Sequence, residues 1–400
     1  MTWFTEGMER VDQFRAKNDY STANAAMKDL VQQAIRRRYP CFDVGTEPWG
    51  GLGVRFRGSL LAAIDVRVHD LVQGESRLQG NQKQEIAKWF GQMRAAGAHT
   101  PVLVVRDEHI RLRVVRDLGD ELKGICVLSA AALRFPLPFA VEAERRLLID
   151  IVRCPVLSGY LRGEATDACR TIIEVQLDSS GRPADEAQRQ VPEPWTGHLG
   201  SAPVLFLASN PGFSDVEVYP PGGRPDHEYV DFFTHRFDPE RPWTKDGNQY
   251  LERTGLYSKP VRYWSFVRNR AMELLGRQPM PGRDYVLAEV VHCKSANEVG
   301  VADARGRCAR EFLFDLLGLS GARLVVVHGT HAAAAVRGLD RLVLEPVRPD
   351  WPELQQEQGR ERFFLFQPHP NERGSEKVYS RALSTGLLPY LQSMFPSGDK

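Results

Sequence analysis

The sequence predicts two folded parts. The second half reads as an α/β fold, a three-layer arrangement around a central parallel sheet of about four strands, and an α+β domain precedes it. Three observations carry this reading. Four short apolar runs, 203–209, 285–292, 323–328 and 362–367, have the length and flanking turns of buried strands. Segments of helical periodicity, about 261–276, 304–318, 330–338 and 376–394, alternate with them, which signals a parallel sheet covered on both faces. Residues 1–140 run helix, hairpin, helix, strand instead, the order of a compact α+β module.

Each element follows from local chemistry. Met27, Leu30, Val31, Ala34 and Ile35 repeat at helical spacing over about 24–38, and the helix ends before Pro40. Runs 51–56 and 60–68 read as strands joined by a glycine-serine turn, 83–95 as a second helix, and 101–105 and 110–115 as further strands. The domains are therefore an accessory domain (1–140), a bridge (141–202) that opens with a helix over 142–151 and ends polar, and the α/β domain (203–400). Residues 215–259, dense in Pro, Gly and aromatics, connect the first strand to its helix. So long a connection at a strand's carboxyl end predicts a lid or a specificity wall.

With 400 residues and a formal net charge of +1, the chain can bury a sizeable core, and its charge neither favours nor excludes nucleic acid; a binding surface would be a local patch. No apolar run reaches the length of a membrane span and no secretory leader opens the chain, so the expectation is a cytoplasmic protein with no membrane partner. Six cysteines, at 41, 126, 154, 169, 293 and 308, are too dispersed for a small disulfide scaffold and read as buried thiols or ligands.

Unusual polar residues stand at three of the four strand ends. Ser209-Asn210-Pro211-Gly212 stops the first strand abruptly, leaving a carboxamide and free backbone N–H groups at the edge where open α/β sheets bind ligands. Glu289 to Lys294 surround the end of the second, and Pro368-His369-Pro370-Asn371 follows the fourth. Ser-Asn-Pro-Gly alone is a turn. Taken in order, these segments resemble the uracil-DNA glycosylase superfamily. Ser209 to Gly212 is similar to the Gly-Ile-Asn-Pro-Gly motif of its mismatch-specific uracil and thymine glycosylases, and Lys259-Pro260-Val261-Arg262-Tyr263-Trp264 to their Pro-x-x-Arg-aromatic-Trp segment. His369-Pro370-Asn371 is similar to the His-Pro-Ser motif of the wider superfamily. The resemblance covers 203–400 and has no counterpart for 1–150.

The resemblance implies a monofunctional DNA glycosylase that flips out a non-standard base and hydrolyses its N-glycosidic bond, with no cofactor required for the chemistry. Asn210 would position the attacking water, and His369 would donate a hydrogen bond to O2 of the departing pyrimidine. Backbone N–H groups around Gly212 and Phe213 would support the flipped base or its phosphate, glycine allowing close approach, and Phe213 or Tyr263 would stack on the base. The implied partner is DNA, duplex or single-stranded, contacted by Asn371, Arg373 and Lys377. No lysine adjoins Asn210 in sequence, so lyase activity is not expected. Two alternatives stay open: ordinary uracil or mismatch repair, and a non-catalytic nucleic-acid sensor on the same fold.

Two departures from the family pattern matter. Where relatives carrying Asn-x-x-Lys-Cys use the asparagine to read uracil, this chain has Glu289-Val290-Val291-His292-Cys293. A carboxylate there would repel O4 of uracil and accept from N4 of cytosine, so the expected substrate is a modified cytosine in phage DNA and the expected role antiviral defence. The bland alternative leaves Glu289 at the core edge or paired with Arg or Lys. Some superfamily members also hold a structural [4Fe–4S] cluster with two cysteines before the first strand and two after the second. Cys293 and Cys308 stand where the later pair falls, while Cys154 and Cys169 precede the first strand without close Cys-x-x-Cys spacing. These four are candidate ligands, and buried thiols otherwise. His292, His328 and His331 read as structural, and Trp264 and Phe266 as core. In the accessory domain Asp43, Glu47 and Asp65-Val66-Arg67 resemble a restriction-endonuclease-like core with its catalytic lysine replaced by arginine. That implies a degenerate nuclease domain contacting DNA or a partner.

Overall fold

The computed structural model describes the chain except residues 1, 18, 49, 68–79, 106–109, 113, 116–124, 131, 133–136, 165–167, 176–188, 373–377 and 396–400. It forms two compact units, Met1–Ala143 and Glu144–Lys400, so most of the segment read as a bridge belongs to the second unit.

In the first unit, helices Thr2–Ala16 and Tyr20–Arg38 pack on each other, the second capped by Asp19, which accepts a hydrogen bond from Thr22 N–H at 3.1 Å. Strands β1 (Asp43–Thr46), β2 (Leu52–Phe56), β3 (Ser59–Arg67), β4 (Thr100–Val105) and β5 (Cys126–Ser129) form one sheet in that order. The first three are antiparallel, and β3, β4 and β5 run parallel. One expectation fails here. The described residues of 110–115 are helical, not extended. Ile110 and Val114, four apart, are buried against Ile86, Trp89 and Phe90 of the Gly80–Ala95 helix, while Leu112 and Val115 are exposed; the apolar period is that of a helix turn. Of the acidic residues read as a nuclease remnant, Glu47 pairs with Arg55 and Asp65 Oδ1 accepts from Val66 N–H at 2.9 Å.

The second unit carries β6 (Trp195–Thr196), β7 (Val204–Ala208), β8 (Thr244–Lys245), β9 (Gln249–Tyr250), β10 (Tyr285–Glu289), β11 (Leu324–His328), β12 (Leu344–Pro346), β13 (Leu354–Glu357) and β14 (Phe363–Gln367). Its main sheet has seven strands in the order β12-β13-β14-β11-β7-β10-β6. The four strands read from sequence are its parallel centre, β14-β11-β7-β10, and the antiparallel β6, β13 and β12 lie outside them. Those three escaped notice because β6 and β12 have only two and three residues and β13 reads Leu-Gln-Gln-Glu, with no apolar run. Every residue of β7, β10 and β11 is buried. Val204 and Phe206 pack against Val267, Ala271 and Leu274 of the Arg262–Leu275 helix, and the alternate residues Leu205 and Leu207 are equally buried, so both faces of the parallel centre are covered. The helix read over 304–318 contains a π-helical turn, Ala309–Leu313, and the one read over 376–394 is two short helices, Tyr379–Ala382 and Leu387–Ser393. Among the described residues no helix is long and apolar enough to cross a membrane.

Candidate functional site

Parallel register gathers the polar strand ends along one edge. Ala208 of β7 stands opposite Glu289 of β10, and His328 of β11 opposite Gln367 of β14. Asn210 therefore follows one central strand, and His369 follows a strand two places away. Ser209, Glu298, His328, Gly329, His369 and Asn371 are among the residues lining a pocket of about 210 Å³ on this edge.

The Asn210 amide is held by its nitrogen. Nδ2 donates to the backbone carbonyls of Pro211 (3.0 Å) and Ser295 (3.4 Å), which leaves Oδ1 as the acceptor end. The loop after β10 supplies that anchor and is itself docked on the Asn210 motif. Ser295 N–H donates to Pro211 O at 3.1 Å, Ser295 forms a parallel bridge with Gly212, and the buried Ser209 hydroxyl donates to Glu298. A Cβ at Gly212 would meet open space and its φ is not positive, so the fold itself does not require glycine there. Phe213 is half-buried.

His369 is fixed in one tautomer. Its Nδ1 accepts from Asn371 N–H at 3.2 Å, so in the neutral ring the proton sits on Nε2. Burial holds its pKa below the usual histidine range, against the opposing pull of Glu298 and Glu372. Tyr263 lies flat against this ring, with centroids 5.8 Å apart and planes within 5°, and its hydroxyl meets His328 Nδ1 at 3.1 Å. One face of Tyr263 is thus covered by His369, and the geometry gives Tyr263 a positioning task for the two histidines. Gly329, at φ +81°, brings the following helix so near that a Cβ would sit 3.1 Å from Cβ of His369. His328, read from sequence as structural, is fully buried yet lines the pocket, and its Nε2 has no hydrogen-bond partner. Burial first, then the charges of His369 and Arg270, bring its pKa down to about 3, so it stays neutral. His292 is buried with Nδ1 on Glu193 O at 2.8 Å, while His331, read from sequence as structural, also lines the pocket and meets Arg305 at 3.0 Å. Trp264 and Phe266 pack against the core. Asn371 is exposed at the pocket rim, and Arg373 and Lys377 lie outside the described residues.

Behind this edge lies a buried ionic cluster that sequence reading missed. Arg236 is 1 % exposed and bonds Glu193 (3.0 Å) and Glu217, while Lys294 meets Glu217 at 3.1 Å and Glu193 at 3.6 Å. Tyr219 donates to Glu193 at 3.2 Å, and its ring lies 3.6 Å from Lys294 Nζ. Glu217, Tyr219 and Arg236 all belong to the long 215–259 connection, so these ion pairs fasten that connection to the sheet edge. An aromatic set, Tyr219, Phe232, Phe233 and Trp243, packs around them. No single position signalled the cluster, because Glu193 and Lys294, which pair in it, stand at opposite ends of a stretch that also holds Glu217 and Arg236.

Glu289 adjoins this cluster but shares none of its ion pairs, and its Oε2 is buried without a hydrogen-bond partner. Burial pushes its pKa well above the carboxylate range, Glu193 adds to the rise, and Lys294 and Arg236 offset only part of it. Glu193 goes the other way: burial raises it, but Arg236 and Lys294 prevail and leave it low. Counting charges gives the same answer, since three carboxyls beside two cations balance when one carries a proton, and Glu289 is the one lacking a cation at bonding distance. Against the charged carboxylate expected from sequence, burial and the lack of a cation at bonding distance both favour the neutral acid, which would donate as well as accept.

Glu298 was also missed. It and Asn297 have φ of +58° and +54°, a left-handed turn on two non-glycine residues that costs energy and turns the Glu298 carboxylate toward Ser209 and His369. Only Asn297, a residue tolerant of that conformation, hinted at it.

Cys154, Cys169, Cys293 and Cys308 line one cavity of about 40 Å³ with Ile151, Pro155, Val291 and Phe312. Burial raises all four thiols, Cys293 far above its usual range and Cys308 to about 12. Cys308 abuts the π-turn, a distortion frequent at functional sites. The cavity thus gathers four sulfur donors, with Arg307 and Glu311 also in its lining.

No protein-family model matches the sequence, and comparison with curated proteins finds no match.

Proposed function

We propose that the chain is a monofunctional DNA glycosylase of the uracil-DNA glycosylase superfamily, with a three-layer catalytic domain in its second half. The observation that carries this reading is the pairing, along one sheet edge, of an asparagine amide anchored through its nitrogen with a histidine held as an Nε2–H donor. Oδ1 of Asn210 accepts from a water and holds it against C1′ of the flipped nucleotide. As the C1′–N bond breaks, its electron pair passes to the base, and Nε2–H of His369 bonds the oxygen on which that charge collects. The sugar becomes an oxocarbenium ion, to which the water oxygen adds while its proton is released. The Glu298 carboxylate, on the same pocket wall, stabilises that positive charge, which the neutral Asn210 cannot do.

Glu289 reads the base as a neutral acid. With its proton on one oxygen it complements N3 and N4–H of cytosine, and on the other N3–H and O4 of uracil, so charge repulsion does not separate the two. Discrimination would then rest on size, with the 215–259 connection as the wall that would have to admit a bulky modified cytosine. This supports excision of modified cytosines from phage DNA as an antiviral function, leaving an abasic site. The four cysteines would hold a [4Fe–4S] cluster that fastens the segments before β6 and after β10. A brown preparation absorbing in the visible blue after anaerobic purification is expected, and a colourless, iron-free, active protein would contradict it.

The test is release of free base, followed by mass spectrometry, from duplexes carrying uracil, mismatched thymine or modified cytosines. Wild type is expected to release a modified cytosine, Asn210→Ala to bind without releasing, Glu289→Gln, an isosteric neutral donor and acceptor, to keep the wild-type preference, and Glu289→Leu, which removes both, to lose release. Binding with no release from any duplex favours a nucleic-acid sensor, and uracil released fastest favours repair.

A further inference from the structure

Away from the pocket, three side chains converge where β6 ends. His198 follows Gly197 of the β6 turn, His235 is the last residue of the Asp226–His235 helix, and Asp238 lies one turn beyond. One ligand atom from each lies within 4.8 Å of the others. Asp238 divides its two oxygens: Oδ2 meets His235 Nδ1 at 2.8 Å, and Oδ1 faces His198 Nε2 at 3.8 Å.

We propose that His198, His235 and Asp238 form a binding site for a zinc-class divalent ion. Two imidazole nitrogens and one carboxylate are the donor set such ions prefer, with water as the fourth ligand. Two details favour an ion over a closed hydrogen-bonded cluster. His198 Nε2 and Asp238 Oδ1 are both buried without a hydrogen-bond partner, and they face one another at a separation too long for a hydrogen bond but suited to a shared metal. The histidine side chains keep 28 % and 37 % of their surface exposed, leaving a path for the ion and its water. The backbone is also built to present His198. Gly197, at φ +112°, would drive a Cβ to within 2.6 Å of Gly282, and His198 N–H donates to Gly282 O at 2.7 Å, so the imidazole is aimed by main-chain contacts. The opposing group is Arg283, whose half-exposed guanidinium lies 3.5 Å from Asp238 Oδ1. A carboxylate oxygen has two lone pairs, so Asp238 can bind the ion and keep this contact. The bound ion would tie the edge strand β6 to the helix end, and with it the segment that delivers Glu193 to the ionic cluster.

The test uses the full chain, freed of metal by chelation and titrated with Zn(II), then with Co(II) as a spectroscopic probe. One equivalent of Zn(II) is expected outside the cysteines, with a Co(II) spectrum showing nitrogen and oxygen ligation, a raised unfolding midpoint, and loss of that equivalent in both His198→Asn and His235→Asn. The Co(II) spectrum of wild type keeps the test independent of how the variants fold. Absence of any bound equivalent, binding to thiolates alone, or undiminished stoichiometry in folded variants overturns the proposal.

Discussion

Two groups of buried polar side chains meet the carboxyl edge of the second unit's sheet, and they are built in opposite ways. In the Arg236 cluster each cation is paired with two carboxylates. By contrast, His328 Nε2 in the pocket wall and Glu289 Oε2 beside the ionic cluster are buried with no hydrogen-bond partner. A folded chain tolerates an unmade buried hydrogen bond only at a cost of about 1–3 kcal/mol. The difference teaches that the first group holds the long 215–259 connection in place, while the second leaves buried polar atoms unsatisfied, which on the proposed function an incoming base would complete.

Breaking the first group should have the larger effect on folding. Arg236→Met removes one of the two cations that Glu193 and Glu217 share and leaves two carboxylates against Lys294 alone, and urea unfolding should show a loss of about 3–5 kcal/mol. A loss below about 1 kcal/mol would mean that the cluster does not hold the connection. A smaller effect sharpens the second group. His328, neutral when folded with a pKa of about 3 against an unfolded value near 6.5, binds fewer protons folded than unfolded between those limits. Stability should therefore be complete above about pH 6.5 and fall as pH drops toward 3, by at most about 1.4 kcal/mol per pH unit from this residue. Unfolding midpoints of His328→Asn should be less acid-sensitive. Some acid sensitivity should persist, because His292, pulled down to about 4, follows the same sign. An unchanged pH dependence in the variant would assign the proton uptake elsewhere.

The parallel centre of the sheet was legible because buried strands of a parallel sheet are continuous apolar runs. Asn210 and His369 were legible because each interrupts such a run at its carboxyl end. The edge strands were not, being short or polar, and neither was the turn over 110–115, where a few apolar residues suit either period. Glu298 was hidden because its place depends on two left-handed residues. The Arg236 cluster was hidden because its partners are joined only through the fold, and the neutral state of Glu289 follows from counting charges around it, which no local sequence pattern reveals.

The central claim is that the unfinished pocket breaks a glycosidic bond, and release of free base from modified-cytosine duplexes by wild type and Asn210→Ala tests it most directly. Wild type should release the base, and the variant should bind the same duplex with release reduced by about 10²-fold or more. Equal release by the two proteins, or none by wild type, would contradict it.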